Sequence, residues 1–259
     1  MRIERPEPAI AVLTLDAPAA RNALSRRMIA ALDAAIADLS REPDVAAIVL
    51  AAAGPVYSSG HDLKELTLHR ADADGGRAFY EETMRACASL MQAIVKSPKP
   101  VIAAVQGVAT AAGCQLVATC DLAVAAETAA FATPGVNIGL FCSTPMVALS
   151  RNVSRKQAME MLLLGEMLSA EDAARYGLVN RVVAPERVVD EALAMARIIA
   201  AKSKATVAIG KEAFYRQLEA PLAEAYDYAA GVMVENMMQA DAAEGIGAFV
   251  EKRPPVWKD

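Results

Sequence analysis

Few residues in this 259-residue chain combine a reactive side chain with a setting that could use it. His61 stands in the segment Ser58-Ser59-Gly60-His61-Asp62-Leu63-Lys64. Histidine is the side chain whose ordinary pKa lies near neutrality, so His61 could serve as an acid or base. The plainer reading is a side chain turned to solvent or to the mouth of a site. His69, in a charged stretch, reads as surface. Asp62 and Glu65 are the nearest acids, and both read as helix-start residues or surface charges. Cys142 could be a nucleophile only if a neighbour depressed its pKa, and no such neighbour is visible. The run Ala111-Ala112-Gly113 opens a predicted helix. Free amides and the helix dipole there favour an anionic oxygen. A small-residue turn that lets a strand and a helix pack closely would look the same.

Composition excludes several other chemistries. The four cysteines, Cys87, Cys114, Cys120 and Cys142, form no CxxC pair, and there are only two histidines. A metal site is therefore not expected, and the cysteines read as buried free thiols. The net charge of −5 and the pI of about 5.3 argue against nucleic acid and acidic membranes as partners. They leave room for a local basic site. Met1 to Pro8 carries both charge signs and two prolines, which does not read as a signal peptide, so a cytoplasmic protein is the expectation. Residues 100–120 carry no charge and are long enough to cross a bilayer. Gln106, Gly107, Gly113 and Gln115 divide them into a buried strand from Val101 and a short buried helix from Ala112, so no membrane span is expected.

The elements that must position these residues follow from periodicity. Strands are predicted at 10–16, 46–53, 101–105, 122–125 and 179–183. Ser25 N-caps a predicted helix whose Met28, Ile29, Leu32, Ile36 and Leu39 recur at helical spacing. A long helix is predicted at about 76–96, ended by Ser97-Pro98-Lys99-Pro100. Residues 56–62 and the stretch from Gln106 read as loops, and 131–135 as a loop or short strand. Helices are predicted at 144–152, 154–164, 169–176, 186–201, 204–218, 221–239 and 241–250. The pattern is α/β with a helical C-terminal part. The expected division is a core over 1–200 and a helical region over 201–259 that packs on the core or on another subunit.

Three segments share one order and spacing. Arg21-Asn22-Ala23-Leu24-Ser25 comes after the first strand and Ser58 to Lys64 after the second, while Ala104 to Leu116 spans the end of the third strand and the loop and helix beyond it. Together with Cys120-Asp121, Phe131 to Gly135, Leu164-Gly165-Glu166, Ala173 to Val179 and Phe249 to Arg253, they resemble the enoyl-CoA hydratase/isomerase family, the crotonase superfamily. The strings SSGHDLKEL, AAGCQLVATCD and FATPGVNIGLFCSTP are similar to one branch of it in particular.

The resemblance implies a crotonase-like spiral of ββα units with a C-terminal helical trimerisation region, assembled as a homotrimer or dimer of trimers. It implies an acyl-CoA thioester as ligand, with coenzyme A as part of the substrate and no separate cofactor. Two backbone N–H groups, those of His61 and Ala112, would face the thioester oxygen. Relatives often carry three glycines where this chain has Ala111-Ala112-Gly113. The family's two catalytic glutamates match Gln115 and Gly135 here, so the ordinary hydratase and isomerase mechanisms lack their acid–base groups. By the same likeness Arg21, Lys64, Lys252 and Arg253 are candidate phosphate partners, and Ala23 and Leu24 would line the adenine pocket. Ser58, Gly60, Asp62, Leu63, Val108, Ala111, Pro134, Leu140 and Cys142 would line the substrate. Phe249 and Trp257 would close the site. Two readings stand: an enzyme acting on a thioester through an enolate, and a module that holds acyl-CoA without efficient turnover. One branch of this fold binds nucleic acid, which the acidic pI opposes.

Overall fold

The computed structural model describes residues 1–258. Its first strand, β1 (Arg2–Glu7), is an exposed, charged edge that pairs antiparallel with β2 (Ile10–Leu15), all of whose residues are buried. β1 is not among the strands predicted from sequence, because charges and a proline on a solvated edge leave no apolar pattern. α1 (Arg26–Arg41) starts where expected: the Ser25 side chain accepts the Met28 N–H at 3.2 Å. It buries Met28, Ile29, Leu32, Ala35, Ile36 and Leu39.

β3 (Ala47–Ala52) is followed by a short β4 (Val56–Ser58), then α2 (Leu63–Leu68) and α3 (Arg77–Lys96). β5 (Val101–Val105), β6 (Val108–Thr110) and α4 (Ala112–Thr119) repeat that pattern. β7 (Leu122–Ala126), β8 (Ala130–Ala132), α5 (Pro145–Leu149) and α6 (Arg155–Leu164) repeat it again. β9 (Leu168–Ser169), α7 (Ala170–Tyr176), β10 (Arg181–Val183) and α8 (Val188–Ala200) complete the core.

The large sheet has the order β1-β2-β3-β5-β7-β10, and the small one β4-β6-β8-β9. From β2 to β10 the large sheet is parallel, as are β4, β6 and β8. Each of the pairs β3–β4, β5–β6 and β7–β8 therefore gives its first strand to the large sheet and its second to the small one before the chain turns into helix. This is the expected spiral of ββα units. β4 and β6 fall in stretches read from sequence as loops; three residues are too few to show a period. The uncharged segment 100–120 is β5, β6 and α4, nearly all buried in the core. Among the described residues no helix is long and apolar enough to cross a membrane.

α9 (Lys204–Gln217), α10 (Leu222–Met237) and α11 (Ala240–Glu251) pack on one another. One clamp joins α9 to the core. Lys211 Nζ donates to Asp121 Oδ2 at 2.7 Å and to the carbonyls of Ile94 and Lys99 at 3.0 Å each. The Tyr215 hydroxyl donates to Asp121 Oδ1 at 2.9 Å, and the Val101 N–H to Asp121 Oδ2 at 2.7 Å. α10 buries none of its residues, and Leu222, Tyr226, Met233, Val234 and Met237 on it are exposed in the single chain.

Candidate active site

The first site loop is set by two consecutive left-handed residues, Arg21 (φ 53°) and Asn22 (φ 49°). Asparagine tolerates this conformation better than most residues. The buried Asn22 side chain accepts the Ala17 N–H at 2.8 Å and donates to the carbonyls of Ala53 (2.8 Å) and Val56 (2.7 Å). The exit of β2 is thereby tied to the β3–β4 turn. The Leu24 N–H then donates to the Gly60 carbonyl at 2.7 Å, and the Ser59 N–H to the Arg21 carbonyl at 3.0 Å. Ser58, expected at the substrate, is fully buried instead. Its hydroxyl donates to the Asn22 carbonyl at 2.9 Å and accepts the Gly60 N–H at 3.3 Å. Leu24, expected at the adenine, points into the core.

Asp62 and Glu65 are helix-start residues. Asp62 caps α2 through the N–H groups of Lys64 and Glu65, at 2.9 and 3.2 Å. Glu65 reaches the start of α1 and accepts the Arg26 N–H at 3.0 Å. Leu63 and Lys64, with Thr67 and Leu68, line an open apolar hollow of about 470 Å³ immediately after His61.

The second loop meets the first because α4 can press against β4. A Cβ on Gly113 would stand 2.3 Å from the Ser58 carbonyl oxygen, so only glycine fits there. Gly60 (φ 84°) closes the contact: a Cβ on it would lie 3.1 Å from the Ala112 nitrogen, 3.0 Å from the Thr110 oxygen and 2.9 Å from the Ala111 methyl. Ala111 has φ 50° and ψ −119°, a conformation ordinarily left to glycine. Its N–H donates to the Ala132 carbonyl at 2.9 Å, and its carbonyl accepts the Gln115 N–H at 3.0 Å. Neither the His61 nor the Ala112 amide donates to an acceptor among the described residues. Buried backbone N–H groups are nearly always paired, so an unengaged pair at one spot has a ligand-binding geometry.

Three side chains in these segments each carry a buried, unpaired polar atom. His61 Nε2, Gln115 Oε1 and Thr133 Oγ1 are enclosed and lack a hydrogen-bond partner among the described residues. His61 is half-buried with its Nε2 turned inward, which corrects the solvent-facing reading, and burial lowers its pKa from the ordinary value. Nothing in the sequence singles out Thr133; a threonine before proline looks like any turn residue.

Gly135 lies where the family's second glutamate would be. A Cβ there would stand 2.9 Å from both Cys142 Sγ and the Leu140 oxygen. The segment after Gly139 has therefore closed over the position. All four cysteines are buried and free, as expected. Burial pushes the Cys142 thiol up, while the Gly135 N–H pulls it the other way. Burial also pushes Cys114 up to about 12, with Cys142 nearby adding to the shift. Neither is a ready thiolate.

Ala23, Val108 and Pro134 are half-buried, and Arg21 and Leu140 are exposed. Phe249, 82% exposed, and Lys252 lie at the end of α11, whose principal partners are α9 and α10. Arg253 is engaged by Glu244 at 2.6 and 3.0 Å and by Glu251 at 2.6 Å, which removes it as a free phosphate partner. Trp257 is pinned elsewhere: its ring N–H donates to the Ala201 carbonyl at 2.9 Å. Among the described residues no group of three or more His, Cys, Asp or Glu could hold a metal ion.

Residues 5–259 match the family model described as enoyl-CoA hydratase/isomerase. The mitochondrial enoyl-CoA hydratase domain-containing protein 3 of Rattus norvegicus is 48% identical over 98% of this chain and 83% of its own length. The Homo sapiens protein of that name is 48% identical over 95% of this chain and 79% of its own length. An enoyl-CoA hydratase structure from Mycobacterium smegmatis superposes with a TM-score of 0.94 at 52% identity, covering 100% of this chain and 98% of that one. The human enoyl-CoA hydratase domain-containing protein 3 structure gives 0.93 at 46%, covering 98% and 99%. The expectation of a cytoplasmic protein is overturned, since these rat and human relatives are named as mitochondrial. Fold, loops and matched length agree that the chain belongs to the enoyl-CoA hydratase/isomerase family, on the branch of domain-containing protein 3.

Proposed function

We propose that this protein binds an acyl-CoA thioester and polarises its carbonyl oxygen with the backbone amides of His61 and Ala112. The observation that carries this reading is the pair of unengaged N–H groups on loops so close that a Cβ on Gly60 would lie 3.1 Å from the Ala112 nitrogen. Negative charge develops on the thioester oxygen when the acyl chain is deprotonated or attacked. Two preorganised donors oppose that charge, and losing one typically costs about 3–4 kcal/mol. The start of α4 adds its dipole. Arg21, Lys64 and Lys252 would meet the CoA phosphates, and Ala23 the adenine. Leu63, Val108, Pro134, Leu140 and Cys142 would line the acyl side, with Phe249 brought in by assembly. No cofactor beyond the CoA of the substrate is required.

Ordinary hydration is not the proposed reaction. Gln115 can hold a water but cannot take its proton. Gly135 has neither a side chain nor room for one. That closure favours the second reading, a protein that holds acyl-CoA with little turnover. We also propose that residues 201–259 form an oligomerisation region and that the chain assembles as a homotrimer or dimer of trimers.

The test uses the unmodified protein. Calorimetry would compare butanoyl-CoA with S-butyl-CoA, the thioether that lacks the carbonyl. The expected result is binding of the thioester at least about tenfold tighter, near the range of one or two net hydrogen bonds. Equal affinity, or no binding of any ester from C2 to C12, overturns the proposal.

A further inference from the structure

We infer that the His61 imidazole is the group that takes the α-proton of the bound thioester, in place of the two glutamates this chain lacks. The inference rests on the acyl-CoA reading above. The other groups near the two amides are committed elsewhere or unable to accept a proton. Asp62 and Glu65 are held at helix starts through bonds of 2.9 to 3.2 Å. Gln115 has no basic atom, and Gly135 is covered by Leu140 and Cys142. Burial holds Cys114 and Cys142 as thiols.

His61 differs from all of these. Its Nε2 is enclosed without a partner, and an orphaned buried polar atom is costly unless a ligand supplies one. Two further unpaired atoms, Gln115 Oε1 and Thr133 Oγ1, belong to the segments that meet at Ala111: Gln115 by its N–H to the Ala111 carbonyl, Thr133 as the residue after Ala132, which accepts the Ala111 N–H. By contrast the buried Asn22 and Ser58 side chains, in the same loops, are fully paired, so the region is not generally short of hydrogen bonds. Burial also favours the neutral ring, the form that can accept a proton. The ring hangs from the residue whose amide would meet the carbonyl oxygen, and in a thioester that oxygen and the α-carbon share one carbonyl carbon.

The step balances within the complex. The α C–H bond breaks, and its proton passes to His61 Nε2. The electron pair forms the Cα–C double bond, and the charge moves to the oxygen facing the two amides. Reversal returns a proton, or in heavy water a deuteron, to the α-carbon.

The experiment follows α-hydrogen exchange of saturated acyl-CoA esters, from acetyl- to octanoyl-CoA, with the full chain in D₂O by NMR. At least one ester is expected to exchange faster than in buffer alone. The rate should be flat above about pH 7 and fall as pH drops below the ordinary histidine range near 6.5. His61→Gln, which keeps the backbone amide, should lower the rate by about 10²-fold or more, with Kd moving far less. A bound ester that does not exchange, a His61→Gln rate within threefold of wild type, or a rate independent of pH from 5 to 8 overturns the inference. Failure of every ester to bind is a different result, which overturns the acyl-CoA reading and takes this inference with it.

Discussion

Ala111 holds φ 50° and ψ −119° at the entrance to α4, and replacing it with glycine should stabilise the protein. A non-glycine residue in such a region stores about 1–3 kcal/mol of strain. Ala111→Gly releases that strain. Against this, glycine loses about 0.5–1 kcal/mol more backbone freedom on folding. The half-buried methyl contributes at most about 0.8 kcal/mol of transfer energy. With strain near the middle of its range, a net gain of about 1 kcal/mol remains. In a chain of this size that raises Tm by about 2–4 °C. The assay is thermal and urea unfolding followed by circular dichroism at matched protein concentration, because assembly alters apparent stability. A Tm lowered by 2 °C or more would contradict this account. It would mean that neighbouring contacts make the strained conformation Ala111's own preference.

Lys211→Met removes one partner of a buried ion pair and leaves Asp121 with only the Val101 N–H and Tyr215. A loss of about 3 kcal/mol is expected in urea unfolding, and a loss under 1 kcal/mol would show the pair to be dispensable. Wild-type hydration of crotonyl-CoA, followed by loss of enoyl absorbance, should fall far below the roughly 10 s⁻¹ of an ordinary enzyme. Gln115→Glu with Gly135→Glu should not restore it, because the second glutamate would strike Cys142 Sγ and the Leu140 oxygen. Activity gained by that double variant would show that the 139–144 segment moves aside readily. Light scattering at micromolar concentration should give a mass well above 27.3 kDa, since Met233, Met237 and Met238 stand exposed in the single chain. A monomer would refute the proposed assembly.

The long elements were legible because their burial pattern is written in residue type. Ser25 marks the start of α1, and the unbroken apolar run of β5 marks a strand covered on both faces. β4 and β6 were not, because three-residue strands in a second sheet take their register from neighbours rather than from any period of their own. The site divides the same way. Resemblance indicated His61 and Ala112, and the packing places their loops in contact. The roles of Ser58 and Leu24 came out differently because a polar or apolar side chain looks the same in sequence whether it faces a ligand or a neighbouring loop. The inward turn of His61 and the closure over Gly135 depend on how segments far apart in the chain settle together, and no local pattern encodes that.

The Asp121 clamp also bears on the order in which the chain can be completed during synthesis. Asp121 sits between α4 and β7, yet its cation is ninety residues downstream. While translation is short of Lys211, the nascent core lacks the lysine that meets this carboxylate at the entrance to β5. Docking of that strand is therefore expected to stay reversible until α9 emerges. A chain stopped near residue 200 would be protease-sensitive across residues 97–123, and would become resistant once Tyr215 has emerged from the ribosome.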